Sequence, residues 1–174
     1  VSYIDVHRRH LDWCVAAVSA GRRISIIDYD TSIVHSPEGA IDKTTAQGVA
    51  LGLAVEKAIL MALRNLRDRW AERPYCKADG TLMSVDLCGT DARYLPDLIY
   101  IFCDESGDRY KAVMGMGSQK GLPNYKIPTN CAGTSPDGHV YSRVAKNVLN
   151  GKPTRRFFAN TDAFKRQVHA GFVL

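Results

Sequence analysis

The sequence predicts one α/β domain built on a central mixed sheet, with an antiparallel meander at its N-terminal end and helices flanking it. Three observations lead there. The first 35 residues are rich in β-branched positions joined by short connections, a long amphipathic stretch follows, and strand-like and helix-like segments alternate after it. A length of 174 residues and an apolar content of 45% suit a single domain, 1–174, with an ordinary core.

Taken in order, residues 3–7 form a first strand, and 11–19 a second reached through a basic turn at Arg8-Arg9. Residues 23–34 form a third after Ala20-Gly21. Thr44-x-x-Gln47 is a capping-box pattern that opens a helix. Val55, Ile59, Leu63, Leu66 and Trp70 recur at three- and four-residue steps and give it one apolar stripe. Arg73-Pro74 ends it, because proline disfavours helix in the residue before it. Residues 81–88 (TLMSVDLC) read as a buried strand carrying one acid. Residues 91–104 read as a second helix with Pro96 in its first turn. Residues 110–114 are another strand. Residues 115–138, rich in Gly, Pro, Asn, Ser and Thr, are a loop of a length that is usually functional or mobile. Strands over 139–148 and 155–159 and a helix from Asn160 complete the chain. A meander followed by alternating helices and strands is the pattern of the RNase H-like fold.

The net charge of +5 is unevenly spread. Residues 1–108 carry a balance of −4 and residues 109–174 a balance of +9, with only Asp137 and Asp162 as acids in the final third. That asymmetry suits a polyanion surface and, less specifically, a solvated basic face. The five cysteines (14, 76, 88, 103 and 131) show no CxxC spacing. Cys14, Cys88 and Cys103 sit in apolar runs as small core residues, which implies reduced thiols, a cytosolic setting and no zinc site. No uninterrupted apolar run is long enough for a membrane span, and no signal peptide is visible. A start without Met and an apolar end are expected of a domain excised from a longer protein.

Two acids stand inside strand-like text. Asp5 lies between Ile4 and Val6, and Asp86 between Val85 and Leu87. Aspartate is disfavoured in strands, and a buried carboxylate without a partner is costly. Two acids on neighbouring central strands make an oxygen-donor site for Mg²⁺ or Mn²⁺. Gly89 leaves room beside Asp86 for a backbone or phosphate. The competing assignment for each acid is a hydrogen-bonded structural group. Asp12, Asp28 and Asp30 are assigned to exposed or turn positions.

Three patches carry a family likeness. YIDVHRRHLDWCVAAVSAGRRISIIDYD resembles the opening of the nuclease domain of lambda-type (GpA-like) phage terminase large subunits. VDLCGTDARYLPDLIYIFCDE resembles that family's second acidic strand and following helix, and NTDAFKRQVHAGFVL its third signature. The chain departs from the pattern at Cys88, where small polar residues or glycine are common, at Phe164, where Trp is usual, and over 115–138. The resemblance implies an RNase H-like endonuclease with metal-binding and catalytic acids Asp5, Asp86 and Asp162. Two Mg²⁺ or Mn²⁺ ions would serve phosphodiester hydrolysis, with Asp5 bridging them. It also implies double-stranded DNA as substrate, and an ATPase domain, a small terminase subunit and a portal as partners of the full-length protein. The setting would be the cytoplasm of a bacterial host, without a membrane. No GxxxxGK[ST] loop is present, since GMGSQKG (115–121) lacks the spacing.

Lys165, Arg166 and His169 follow Asp162 on one helix face, where they contact DNA or merely solvate the helix. Lys120, Lys126, Arg155 and Arg156 are further candidates for phosphate contacts. The alternatives are another RNase H-like enzyme, such as a junction resolvase or transposase core, and a non-catalytic basic nucleic-acid-binding module.

Overall fold

The computed structural model describes residues 1–19, 23–118, 125–146, 151 and 153–172, with side chains as far as residue 170. The meander forms as expected: β1 (Ser2–Val6), β2 (His10–Val18) and β3 (Ile24–Ile33) pair antiparallel in sequence order. Helix α1 (Ala46–Glu72) follows, then a two-strand hairpin of β4 (Tyr75–Cys76) and β5 (Leu82–Met83). Next come β6 (Cys88–Asp91), α2 (Pro96–Ser106), β7 (Tyr110–Met116), β8 (Gly133–Thr134), β9 (Val140–Lys146), β10 (Pro153–Asn160) and α3 (Thr161–Phe172). The main sheet has the order β3-β2-β1-β6-β7-β10-β9-β8. Strands β1, β6, β7 and β10 are parallel to one another, and the strands outside them are antiparallel, so this is a mixed α/β sheet.

One face of the sheet carries the core. Ile4 and Val6 of β1, Leu11 and Trp13 of β2, and Cys88 and Ala112 of β6 and β7 are buried against α1 and α2. The predicted stripe of α1 is the buried one: Val55, Ile59, Leu63, Leu66 and Trp70. Trp13 and Trp70 meet edge to face at 5.6 Å, and the α2 side is closed by Phe102 against Tyr110 at 5.4 Å. By length and composition alone α1 is apolar enough to cross a membrane, which corrects the expectation drawn from uninterrupted runs; its buried stripe is instead packed in this core.

Several element boundaries differ from expectation, and three have a clear physical reason. The helix cap is Thr45, one residue beyond the predicted Thr44; its hydroxyl accepts from the Gly48 N–H at 3.0 Å. Thr44 is drawn into a turn by Asp42, whose carboxylate accepts from its N–H at 2.9 Å and its hydroxyl at 2.6 Å. The strand expected over 81–88 is divided. Its first part pairs with Tyr75–Cys76, and the central strand starts only at Cys88 and runs to Asp91. Local composition favours Leu82–Leu87, but tertiary pairing selects Cys-Gly-Thr-Asp, which takes hydrogen-bonding partners on both sides from β1 and β7. Helix α2 correspondingly begins at Pro96 rather than at 91.

Candidate active site

Asp5 sits one residue before the end of β1. The parallel register Ser2↔Cys88, Tyr3↔Gly89, Ile4↔Thr90 brings it level with Asp91, the last residue of β6. Alternation along β1 turns Ile4 and Val6 into the core and Asp5 to the opposite face, away from α1 and α2. Asp91 is half-buried, and its carboxyl is held above the usual carboxylate range, first by burial and also by the negative charge of Asp5. Arg93 and His7 oppose that shift. Beyond Asp91 the chain reaches α2 through Leu95, a non-glycine residue in the left-handed region at φ 55°. Tyr3 adjoins the two acids, and its phenol is pushed well above the ordinary value by burial, Asp91 and Asp5, so it stays protonated.

Asp86 is not part of this arrangement. It is exposed and precedes β6, five residues back from Asp91, which is roughly 15 Å along a strand. The expected second strand acid is therefore corrected: the sheet places Asp91 next to Asp5, and Asp86 lies beyond the opposite end of β6. The space at Gly89 is filled as well, since a Cβ there would stand 2.9 Å from the Tyr3 ring.

A second cluster adjoins Asp5. Residues 5–12 read Asp-Val-His-Arg-Arg-His-Leu-Asp, a palindrome but for Val6 and Leu11, and the β1–β2 hairpin folds it onto itself. Asp5 pairs with Asp12 and Val6 with Leu11, and the His7 N–H donates to the His10 carbonyl at 3.0 Å. The two imidazoles stack at 4.4 Å. His7 Nε2 lies 3.3 Å from Asp5 Oδ2 and 3.6 Å from Asp12 Oδ2, and His10 Nε2 lies 3.4 Å from Asp12 Oδ2. Asp12 also accepts from the Thr31 hydroxyl at 2.6 Å.

Asp162 stands at the same end of the parallel strands but follows β10, with β7 between it and β6. Two strand spacings separate it from Asp91, about 10 Å across the sheet. Asn160 caps α3, accepting from the Ala163 N–H at 3.0 Å, and the Thr161 hydroxyl donates to the Met116 carbonyl at 2.8 Å. Asp162 accepts from the Ser118 N–H at 2.7 Å; this bond, with Arg166 and Lys165 contributing less, holds its carboxyl below the usual range.

The face away from α1 and α2 carries a largely apolar groove of about 610 Å³, bounded by Tyr3, Gly89, Val113, Phe157, Phe164 and Lys165, with none of the candidate acids in its lining. Lys111 also lines it. Arg93 reaches across β7, its Cδ 4.0 Å from where a Gly115 Cβ would stand. Of the predicted cations, Lys165 reaches the groove. Arg166 and His169 are exposed on α3, and Lys126 and Arg155 are exposed elsewhere. Arg156 is committed to the fold: its guanidinium lies 4.1 Å over the Tyr100 ring and donates to the Lys146 carbonyl at 3.0 Å. Lys120 lies outside the described residues.

Asp91, His7, His10, Asp12 and Arg93 are the further candidates that the structure gathers around Asp5 and that sequence reasoning did not single out. The palindrome was visible in the sequence; nothing local distinguishes Asp91 from a residue opening the next helix.

No family model matches the chain, and no curated protein does. Two solved structures are similar to part of it. One is an exopolyphosphatase from Cytophaga hutchinsonii ATCC 33406, 14% identical over 66% of this chain and 34% of that one, with a TM-score of 0.34. The other is the type II variant of the Aquifex aeolicus Ppx/GppA phosphatase, 12% identical over 65% of this chain and 35% of that one, with a TM-score of 0.37. The chain thus spans about a third of the length of either.

Proposed function

We propose that this domain is a divalent-metal-dependent endodeoxyribonuclease with an RNase H-like fold, akin to the nuclease of a viral DNA-packaging terminase. The observation that carries the proposal is the pair Asp5 and Asp91, side by side at the ends of adjacent parallel strands, with Asp91 resisting ionisation beside Asp5. The order β3-β2-β1-β6-β7, antiparallel through the meander and parallel thereafter, supports the fold assignment. A half-buried carboxylate whose ionisation is opposed by burial and by a neighbouring acid is an oxygen donor suited to a hard cation.

Asp5 and Asp91 would hold Mg²⁺ or Mn²⁺, which supplies positive charge to activate water and to stabilise the leaving oxygen of a phosphodiester. Arg93, two residues beyond Asp91 and acting on its carboxyl, and Lys165 at the groove would bind backbone phosphates without reading sequence. Tyr3 presents a protonated phenol to the same space. Asp162 is the third acid of the proposal, at the same end of the parallel strands and tied to the segment after β7 by Ser118. The substrate is double-stranded DNA, with an ATPase domain, small terminase subunit and portal as partners in a bacterial host.

The test is nicking of supercoiled plasmid by the purified domain. Cutting should require Mg²⁺ or Mn²⁺, stop with EDTA and disappear in Asp5→Asn. Cutting that persists in EDTA overturns the mechanism, and binding without cutting under every metal identifies a non-catalytic basic module instead.

A further inference from the structure

The hairpin that carries Asp5 presents a donor set of a different chemical kind from the strand-end carboxylates. Four side chains, Asp5, His7, His10 and Asp12, project from one face of it, while Val6 and Leu11 between them are buried on the other. The hairpin register sets this: with Arg8 and Arg9 as the turn, Asp5 meets Asp12 and Val6 meets Leu11. One ligand atom each from His7, His10 and Asp12 lies within 4.8 Å of the other two.

The spacing is informative. The His–carboxylate separations of 3.3, 3.4 and 3.6 Å are longer than an N–H···O hydrogen bond, which spans about 2.7–3.2 Å. Two of them are close to the spacing of two donors around one small ion. Donors bound at about 2.0–2.1 Å around one tetrahedral ion stand roughly 3.3–3.4 Å apart. The hairpin side chains are 39–50% exposed, so an ion can reach them from solvent. His7 and His10 are also brought together by the backbone bond that closes the hairpin, so the geometry is set by the fold rather than by a search of flexible side chains.

We infer that His7, His10 and Asp12 form a three-donor binding site for a borderline transition-metal ion of the Zn²⁺ class, open to solvent for its remaining ligand. Imidazole nitrogen with carboxylate oxygen selects such ions, whereas Mg²⁺ and Ca²⁺ favour oxygen alone. The cysteines take no part, which is why cysteine spacing gave no sign of it. The site does not depend on the nuclease assignment. It adjoins Asp5, which lies 3.3 Å from His7 Nε2, so an ion held there neutralises charge beside the Asp91 pair.

The experiment titrates the metal-stripped domain with Co²⁺ and follows the visible absorption bands of a four-coordinate ion. Those bands should appear at one equivalent, vanish on adding Zn²⁺, and survive a large excess of Mg²⁺. Co²⁺ should also selectively broaden the His7 and His10 ring resonances of the unmodified protein, which needs no variant. His7→Gln and His10→Gln should each weaken Zn²⁺ binding by at least tenfold, while Asp91→Asn should leave the Co²⁺ spectrum intact. Absent bands, displacement by Mg²⁺, or unchanged Zn²⁺ affinity in the folded His7→Gln, His10→Gln double variant overturns the site. Plasmid nicking lost in Asp91→Asn with the Co²⁺ bands retained supports both assignments; nicking retained there with the bands intact counts against the nuclease pair alone.

Discussion

Asp91 pays an ionisation cost that its neighbour imposes, and that makes it testable as a single residue. Its carboxyl is raised above the ordinary value of 3.8 by burial and then by Asp5. A raised carboxylate contributes stability that is full below the unfolded-state value and is lost as pH rises through the folded one. Asp91→Asn should therefore stabilise the metal-free domain near neutral pH and not in acid, as chemical denaturation at several pH values will show. Mn²⁺ should stabilise the wild type and not the variant. Cutting should fall as pH drops through the raised Asp91 value, because the protonated acid is a poor ligand. Asp162 has the opposite sign. Its carboxyl is lowered by the Ser118 N–H, so its contribution is present above the ordinary value and lost as pH falls through the lowered one. Asp162→Ala should abolish or strongly reduce cutting, while Asp137→Ala, in an exposed turn, should cut normally; the reverse pattern removes Asp162 from the site. At this scale the strand position of Asp5 was legible, since an acid between Ile4 and Val6 stands out. Asp91 was not, because its position is decided by pairing with β1 and β7, and Asp86 occupied the more strand-like text.

Elements are governed by packing, and α1 shows it most clearly. Its apolar stripe was legible from periodicity alone, and Leu63 is fully buried. Leu63→Ala should cost about 2–5 kcal/mol, measured by denaturant unfolding, and a cost under about 1 kcal/mol would show that α1 does not cover the sheet as described. The helix start was legible to within one residue. It depends on Gly48, where a Cβ would overlap the Asp42 carbonyl. Gly48→Ala should be destabilising despite alanine's higher helix propensity, and a stabilised variant would mean that the 42–45 turn is not packed there. The three meander strands could be read because the signal of β-branched runs and tight turns is local. Strand β6 could not, because Cys-Gly-Thr-Asp has little strand character and is held by its neighbours.

The whole molecule divides its charge, with the excess of cations after residue 108. Phosphate contacts release counterions, so DNA affinity of the domain should fall steeply with salt, and removing Lys165 should lower the slope of that dependence. A salt-independent affinity would move the DNA surface elsewhere. The mixed α/β class was legible at this scale because element order survives errors in element boundaries. The site was legible only in part, because it is assembled between strands distant in sequence. The central claim is that Asp5 and Asp91, and not Asp86, form the cutting centre. Plasmid nicking in Mn²⁺ by the wild type, Asp91→Asn and Asp86→Asn tests it most directly. Asp91→Asn should be inactive while folded, with Asp86→Asn close to wild type; an active Asp91→Asn together with an inactive Asp86→Asn would contradict the account.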